Sequence, residues 1–479
     1  MNKTPLNLTL LSALFLGGCA IGPDYVRPTM STPETFLHND ENQTAQQNID
    51  REWWKNFNDE ALNRAIEEAQ SSNYDLQASR ASVDALLGQF DQAKSYLYPQ
   101  INANGSLTRK GVDNASSGGY QLREGVTSTY AGSLSLASYE IDLFGKVRRA
   151  NESARAALLS SAYASQTLKL STASSVAASY FKLSSLQGQI DLAKENVVVN
   201  DEIVKFNEMK YKHGVIAETT LLQSQSELQS AKATLSQLEA SKIAEESTFN
   251  LLLGRNPSSV SATALNEITL PDVPSALPST LLTKRPDIAA AEQNMIAANA
   301  RIGVARAAYF PSIKLTGMLG VQSLELSNFI SNPARLWEIA PSITVPIFSA
   351  GRIAGEIKTA EADRNQTLAH YKKSIVSAFN DTDNAIGQTS KAKEQLVYQR
   401  ARAEAIHKAF SQSKLRYQVG TITYSDMLLV QQQWLQASQQ FLIAKQNTLI
   451  ATVSLYKALG GGWSNEQTPP LPDLLPSGR

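Results

Sequence analysis

The 479-residue chain holds one cysteine, Cys19, and four histidines, His38, His213, His370 and His407. These are the side chain types that most often act as nucleophiles, proton carriers or metal ligands. The histidines are scattered, with no HExxH pair and no triad companion. The segments "GGYQLREG" and "LGGGW" are glycine-rich but lack the lysine of a phosphate loop, so they read as turns. No enzyme, metal site or cofactor is expected. The residue whose surroundings suggest chemistry is Cys19.

A lone cysteine cannot close an intramolecular disulfide, which leaves a small buried residue, a reactive thiol or a processing site. The neighbours favour processing. Lys3 gives a positive start, Leu8 to Leu16 is almost wholly apolar, and Gly17-Gly18 are small. That is a signal-peptide layout, and the run is too short for a transmembrane helix, which needs about 20 apolar residues. "LGGC" resembles the bacterial lipobox. The resemblance implies diacylglycerol on the Cys19 thiol, cleavage after residue 18, and a further N-acyl chain on the exposed amine. Two or three acyl chains anchor firmly where one does not. Ala20 follows Cys19 where an Asp would retain the protein at the inner membrane, so the class's sorting rule implies the outer membrane.

Charge balances, with 44 Lys plus Arg against 44 Asp plus Glu. There is no basic excess to mark a nucleic-acid binder and no acidic tail. Long stretches rich in Ala, Ser, Gln and Leu without proline are expected to be helical.

The chain is written twice. "AKSYLYPQI" is matched by "ARAAYFPSI", Tyr211 in "YKHGVI" by Tyr417 in "YQVGTI", and Gly254 by Gly460, the last two pairs each 206 residues apart. Each half begins with a helix, over 58–97 and 286–308, stopped by Pro99 or Pro311. Alternating stretches follow: "INANGSLT" with "STYAGSLSLASYEI", and "IKLTGMLGV" with "EIAPSITVPIF". A period of two over roughly ten residues suits tilted membrane strands with an apolar and a polar face. Soluble hairpins give the same alternation. Four strands cannot close a barrel, which needs about eight, so a membrane location requires association, and three copies supply twelve strands.

Next comes a helix of unusual length in each half, over 146–212 and 353–418, about 100 Å at 1.5 Å per residue. Val176, Tyr180, Leu183, Gln187, Ile190, Lys194 and Val197 step by four and three; Leu221, Leu228, Leu235 and Leu428, Leu435, Leu442, Leu449 step by seven. This is coiled-coil spacing. Ala150, Ala154, Ala157, Ser161 and Ala164 mark a second seam, so the first long helix expects a neighbour on each side.

Together these stretches resemble the outer-membrane-factor family, the TolC superfamily, and within it the lipidated OprM and CusC type. The resemblance covers nearly the whole mature chain: "CAIGPDYVRP", "WWKNFNDEALNRAIEEA", "SYLYPQI", "YEIDLFGKVR", "LLLGRNP", "RPDIAAAEQ", "AYFPSIKLTG", "PIFSAGR" and "YKALGGGW". It implies a mainly α protein with membrane β, a homotrimer whose twelve-stranded β-barrel is continued by a long α-helical periplasmic barrel. The expected organisation is signal peptide 1–18, lipidated equatorial segment 19–57, first repeat 58–254, equatorial linker 255–285, second repeat 286–460 and equatorial tail 461–479. Function is expected to be a passive outlet for drugs or other small toxic molecules. A periplasmic adaptor and an inner-membrane pump of the resistance-nodulation-division class are the implied partners, with the outer-membrane lipid around the barrel. A type I protein-secretion outlet and a poreless periplasm-spanning lipoprotein are the alternatives. Gly214 and Gly420 are placed at hairpin turns at the periplasmic tip, and Arg416, Tyr417, Ser425, Asp426 and Leu429 are candidate gate residues beside them. No metal is expected.

Overall fold

The computed structural model describes residues 20–33, 35–38, 49–112, 116–117, 120–121, 125–272 and 278–463. Cys19, the segment 1–18 and the tail from residue 464 lie outside the described residues.

The duplication is visible in element lengths. The first half runs α1 (Glu60–Ser72), α2 (Tyr74–Ser95), β1 (Ile101–Val112), β2 (Gly125–Ile141), α3 (Lys146–Lys212) and α4 (Glu218–Leu253). The second runs α5 (Pro278–Lys284), α6 (Pro286–Ala307), β3 (Ser312–Ser323), α7 (Leu326–Ser331), β4 (Ala334–Thr344), α8 (Arg352–Gln418) and α9 (Tyr424–Ala458). Helices α2 and α6 both have 22 residues, and β1 and β3 both have 12. Helices α3 and α8 both have 67, and α4 and α9 have 36 and 35.

The helix expected over 58–97 is two helices. Asn73 divides it, with extended backbone (φ −61°, ψ 127°). Its side chain carbonyl accepts from Leu76 N at 3.0 Å, capping α2, while its Nδ2 donates to Leu252 O at 2.9 Å. An asparagine satisfies both helix ends at once where a longer side chain competes less well. The break aligns the halves, because α5 and α6 are divided at the equivalent place by Arg285-Pro286.

One compact unit comprises 20–29, 82–161 and 290–371 of the described chain. Its centre is an antiparallel sheet in the order β1-β2-β3-β4. Register places Ala103, Leu134, Leu319 and Trp337 in one row and Asn104, Ser133, Gly320 and Leu336 in the next. One face therefore carries Ile101, Leu107, Leu134, Leu319, Trp337, Ile339 and Ile343, each more than half exposed. The opposite face is mostly Asn, Ser, Thr and Gln. β4 lies earlier than its sequence pattern suggested and ends at Thr344, because Pro346 cannot donate to a ladder. β1 and β4 are the edges, each with one unpaired side among the described residues.

The second unit comprises 30–81, 162–289 and 372–463. Its main core gathers Trp53, Phe57, Ile66, Val176, Tyr180, Phe181, Phe249, Leu253 and Tyr456. Trp53 stacks on Tyr456 with ring centroids 5.2 Å apart. The long seam follows Val176, Tyr180, Leu183 and Ile190 as expected, but Lys194 is exposed and Ala193 takes its place. A straight α-helix drifts against a strict heptad by about 20° per repeat, so the buried track shifts by one residue. The small-residue seam is open in the single chain: Ala150 and Ala164 are exposed and Ala154, Ala157 and Ser161 half-buried.

Candidate functional site at the helix turns and the N-terminal strap

All four C-terminal helix ends of the duplicated hairpins close in the same way. Val215 N donates to Lys210 O and Gly214 N to Tyr211 O; Thr421 N donates to Arg416 O and Gly420 N to Tyr417 O. Arg255 with Gly254, and Gly461 with Gly460, repeat the pattern against Asn250, Leu251, Tyr456 and Lys457. This is the Schellman closure, which needs a left-handed residue. Gly214 and Gly420 have φ of 69° and 79° and open space around a would-be β-carbon, so conformation alone demands glycine there. At Gly254 and Gly460 a β-carbon would also stand 2.3 Å from Ser72 O and 2.0 Å from Lys284 O.

Beside the second turn the candidate gate residues divide. Tyr417 is only 4% exposed and its hydroxyl donates to Asn207 Oδ1 on α3. Its ring meets Phe206 edge-on at 5.8 Å, and Lys210 Nζ lies 4.5 Å from its centroid. Burial raises the Tyr417 pKa above the usual tyrosine value, against a smaller opposing pull from Asn207. Lys414 Nζ donates to Glu202 at 2.9 Å and Gln431 Nε2 to Asn196 at 2.9 Å, so three contacts fasten the second hairpin to the first. Beneath them Val199, Ile203, Phe410, Met427, Leu428 and Trp434 form a separate apolar cluster.

Arg416, Ser425, Asp426 and Leu429 are exposed instead. Asp426 completes a capping box at the start of α9: its Oδ2 accepts from Thr423 Oγ1 at 2.7 Å and Thr423 N at 3.1 Å. These bonds, the hydroxyl's first, hold its pKa below the ordinary aspartate value. Asn207, Lys210, Asn196 and Gln431 were not singled out in the sequence. The only signal available was their place on the buried track of α3 and α9, where a polar residue needs a partner.

The residues after Cys19 form a strap within the first unit. Ile21 N donates to Phe144 O at 3.0 Å, next to Gly145. Gly22 crosses Gly303 so closely that a β-carbon on Gly22 would lie 2.5 Å from the Gly303 α-carbon. Asn299 Nδ2 donates to Pro23 O at 2.8 Å, Arg149 pairs with Asp24 at 2.5 Å, and Tyr25 and Arg27 both donate to Glu292. The backbone at residue 20 is thereby held against the junction of β2 and α3, where a β-carbon on Gly145 would meet Ala20 at 2.6 Å.

Comparison with known proteins places the whole chain. The model of the outer membrane efflux protein family matches residues 65–255 and again 277–461, once per half. The probable efflux pump outer membrane protein TtgC of Pseudomonas putida is 31% identical over 475 residues, covering 98% of this chain and 97% of that protein. The cation efflux system protein CusC of Escherichia coli is 30% identical over 455 residues, covering 94% and 97%. Among solved structures, the MtrE channel of Neisseria gonorrhoeae in its open state gives a TM-score of 0.82 at 29% identity, covering 93% of this chain and 98% of that one. The CmeC channel of Campylobacter jejuni gives 0.84 at 25%, covering 94% and 97%.

Proposed function

Because this chain belongs to the outer membrane efflux protein family, we infer that it is the outer-membrane channel of a tripartite efflux system, a passive duct from the periplasm to the exterior. The observation that supports this most directly is the sheet. Its one apolar face suits lipid and its polar face suits water, while β1 and β4 leave backbone groups that hydrocarbon cannot satisfy. Three chains, joined edge to edge, give a closed twelve-stranded barrel. No side chain on the described residues is assigned a chemical step; the energy comes from elsewhere.

On our reading the partners are a periplasmic adaptor docked at the hairpin turns and an inner-membrane pump of the resistance-nodulation-division class. Its cargo is small toxic molecules, drugs among them. TtgC is named for an efflux pump and CusC for cation efflux, and the conduit here is placed with the drug branch because methionines are few and scattered. Cys19 carries diacylglycerol and an N-acyl chain. Gating is assigned to the turn region, through Arg416, Tyr417, Ser425, Asp426 and Leu429.

The test is conductance of the purified, full-length protein in planar bilayers, paired with drug susceptibility of a strain lacking it. Discrete channel openings and lowered resistance are expected. A membrane-inserted protein that never conducts would leave only a scaffold.

A further inference from the structure

The connection between β3 and β4 is not an open loop. Its helix α7 seats Phe329 on Gly132 of β2, with ring carbon Cζ 3.2 Å from where a β-carbon would stand. Gly132 pairs with Gly105 on one side and Val321 on the other. Two adjacent glycines leave a recess in the apolar face, and an aromatic ring laid over a strand glycine restores the lost packing.

Residues on a helix are set about 100° apart, so Leu326, Phe329 and Ile330 share one side of α7, and Ser327, Asn328 and Ser331 share the other. Phe329 is seated, whereas Leu326 and Ile330 stay 60% and 86% exposed, with Leu324 at 62% just before the helix. These apolar groups continue the face that carries Leu134, Leu319 and Trp337. β2 and β3 are the central strands of the four. Subunits joining at β1 and β4 would meet at the edges, so a neighbouring copy does not cover this place. Basic residues enter this apolar face, beside Leu107 and Val126, from the row of Gly132 outward. Arg335 stands opposite Val321 in that row, and Arg109 follows Gly105 and Leu107 along the same face of β1; both arginines are exposed.

We propose that α7 is embedded in the outer leaflet of the outer membrane, with Leu326 and Ile330 among acyl chains and the long side chains of Arg335 and Arg109 reaching the anionic headgroups. The proposal rests on the sheet being a membrane barrel. Apolar side chains beside long basic ones fit a lipid surface, because the basic groups extend to the headgroups while the apolar ones stay in hydrocarbon. This connection then grips lipid and does not reach into the medium.

The test uses full-length protein in vesicles of phosphatidylethanolamine and phosphatidylglycerol. Nitroxide labels are placed singly at Ile330→Cys, Ser327→Cys and Leu134→Cys, and collision with oxygen is compared with collision with a water-soluble nickel chelate. The unsubstituted chain, whose one cysteine is Cys19, gives the labelling background. We expect oxygen to dominate severalfold at Ile330 and Leu134, and nickel at Ser327. A lipid-exposed Leu134 with a nickel-accessible Ile330 overturns the proposal alone; a nickel-accessible Leu134 overturns the barrel with it. Shielding of Ile330 from both reagents means protein covers it, which also overturns the proposal. Adding Gly132→Val to Ile330→Cys removes the seat of Phe329 and should lower the oxygen preference; no change would show that α7 is not held by that seat.

Discussion

The hydroxyl of Tyr417 bonds to Asn207 across 210 residues of sequence, fastening the second helix hairpin to the first. Both side chains are almost fully buried. Tyr417→Phe would leave the Asn207 amide without its partner, and a buried polar group left unsatisfied costs about 1–3 kcal/mol. We expect faster hydrogen exchange over residues 203–210 and 414–424, with the barrel strands unaffected. Unchanged exchange would mean the bond contributes nothing to holding the hairpins together.

The proposed gate lies in the same neighbourhood. Combining Arg416→Ala, Tyr417→Phe and Asp426→Ala should give larger or longer single-channel openings and admit bulky antibiotics from outside. Each contact is modest, but the proposed trimer repeats it three times, and about 1.4 kcal/mol changes a population tenfold. A correctly assembled triple variant with unaltered conductance would move the constriction to the exposed Leu429.

The duplication predicts a contact between subunits. Tyr211 occupies the place of Tyr417 and Ser413 the place of Asn207, each 206 residues away. Tyr211 is 41% exposed in the single chain while its twin is buried. In the trimer Tyr211 should meet Ser413 of the partner subunit. A chain carrying Tyr211→Cys and Ser413→Cys, treated with a short thiol cross-linker in membranes, should form covalent dimers and trimers. Purely intramolecular products would refute the arrangement.

Acid should loosen the start of α9. The Asp426 carboxylate has a depressed pKa, so its contribution is present above the unfolded aspartate value near 3.9 and is lost as pH falls through the lower folded value. Asp426→Asn should therefore weaken protection of residues 424–428 at neutral pH, and the difference from wild type should begin to shrink only below the unfolded aspartate value and vanish once pH is below the lower folded value. A difference that persists in stronger acid would assign the effect to something other than ionisation.

Close packing makes the strap sensitive at one point. A β-carbon on Gly303 would stand 2.7 Å from Ile21 O and 2.8 Å from Arg149 Cγ. Gly303→Ala, or Glu292→Gln with its weakened hold on Arg27, should expose Tyr25 to chymotrypsin in native membranes. Cys19→Ser should abolish acylation and cleavage after residue 18, weakening anchorage more than folding. A wild-type N-terminus found free and unacylated would remove the lipid assignment.

Much of this molecule could be read from its letters, because long elements repeat their signal many times. The 67-residue helices and the turns at Gly214 and Gly420 rest on dozens of periodic positions and on a glycine's unique backbone range. What escaped depends on single side chains or distant partners. Asn73 breaks a helix whose apolar spacing continues past it. Ala193 replaces Lys194 on the seam because helical drift accumulates over heptads. Tyr417 and Tyr211 look alike in sequence, yet only one meets a buried asparagine. The Gly22–Gly303 crossing joins residues with no local pattern to link them, and six-residue α7 is too short to display a period.

The matched lengths of α3 and α8 carry a consequence for how such a chain can change. Removing one residue from a helix shortens it by about 1.5 Å and rotates everything beyond by about 100°. A deletion in α3 alone would turn its seam away from its neighbours and leave it out of step with a twin of unchanged length. Substitutions on the exposed faces should be tolerated freely, while single-residue insertions and deletions within either helix should be nearly absent unless mirrored in the other half. Two copies of one ancestral length thus act as each other's ruler, and natural variation in length should be confined to the connections between strands and to the chain ends.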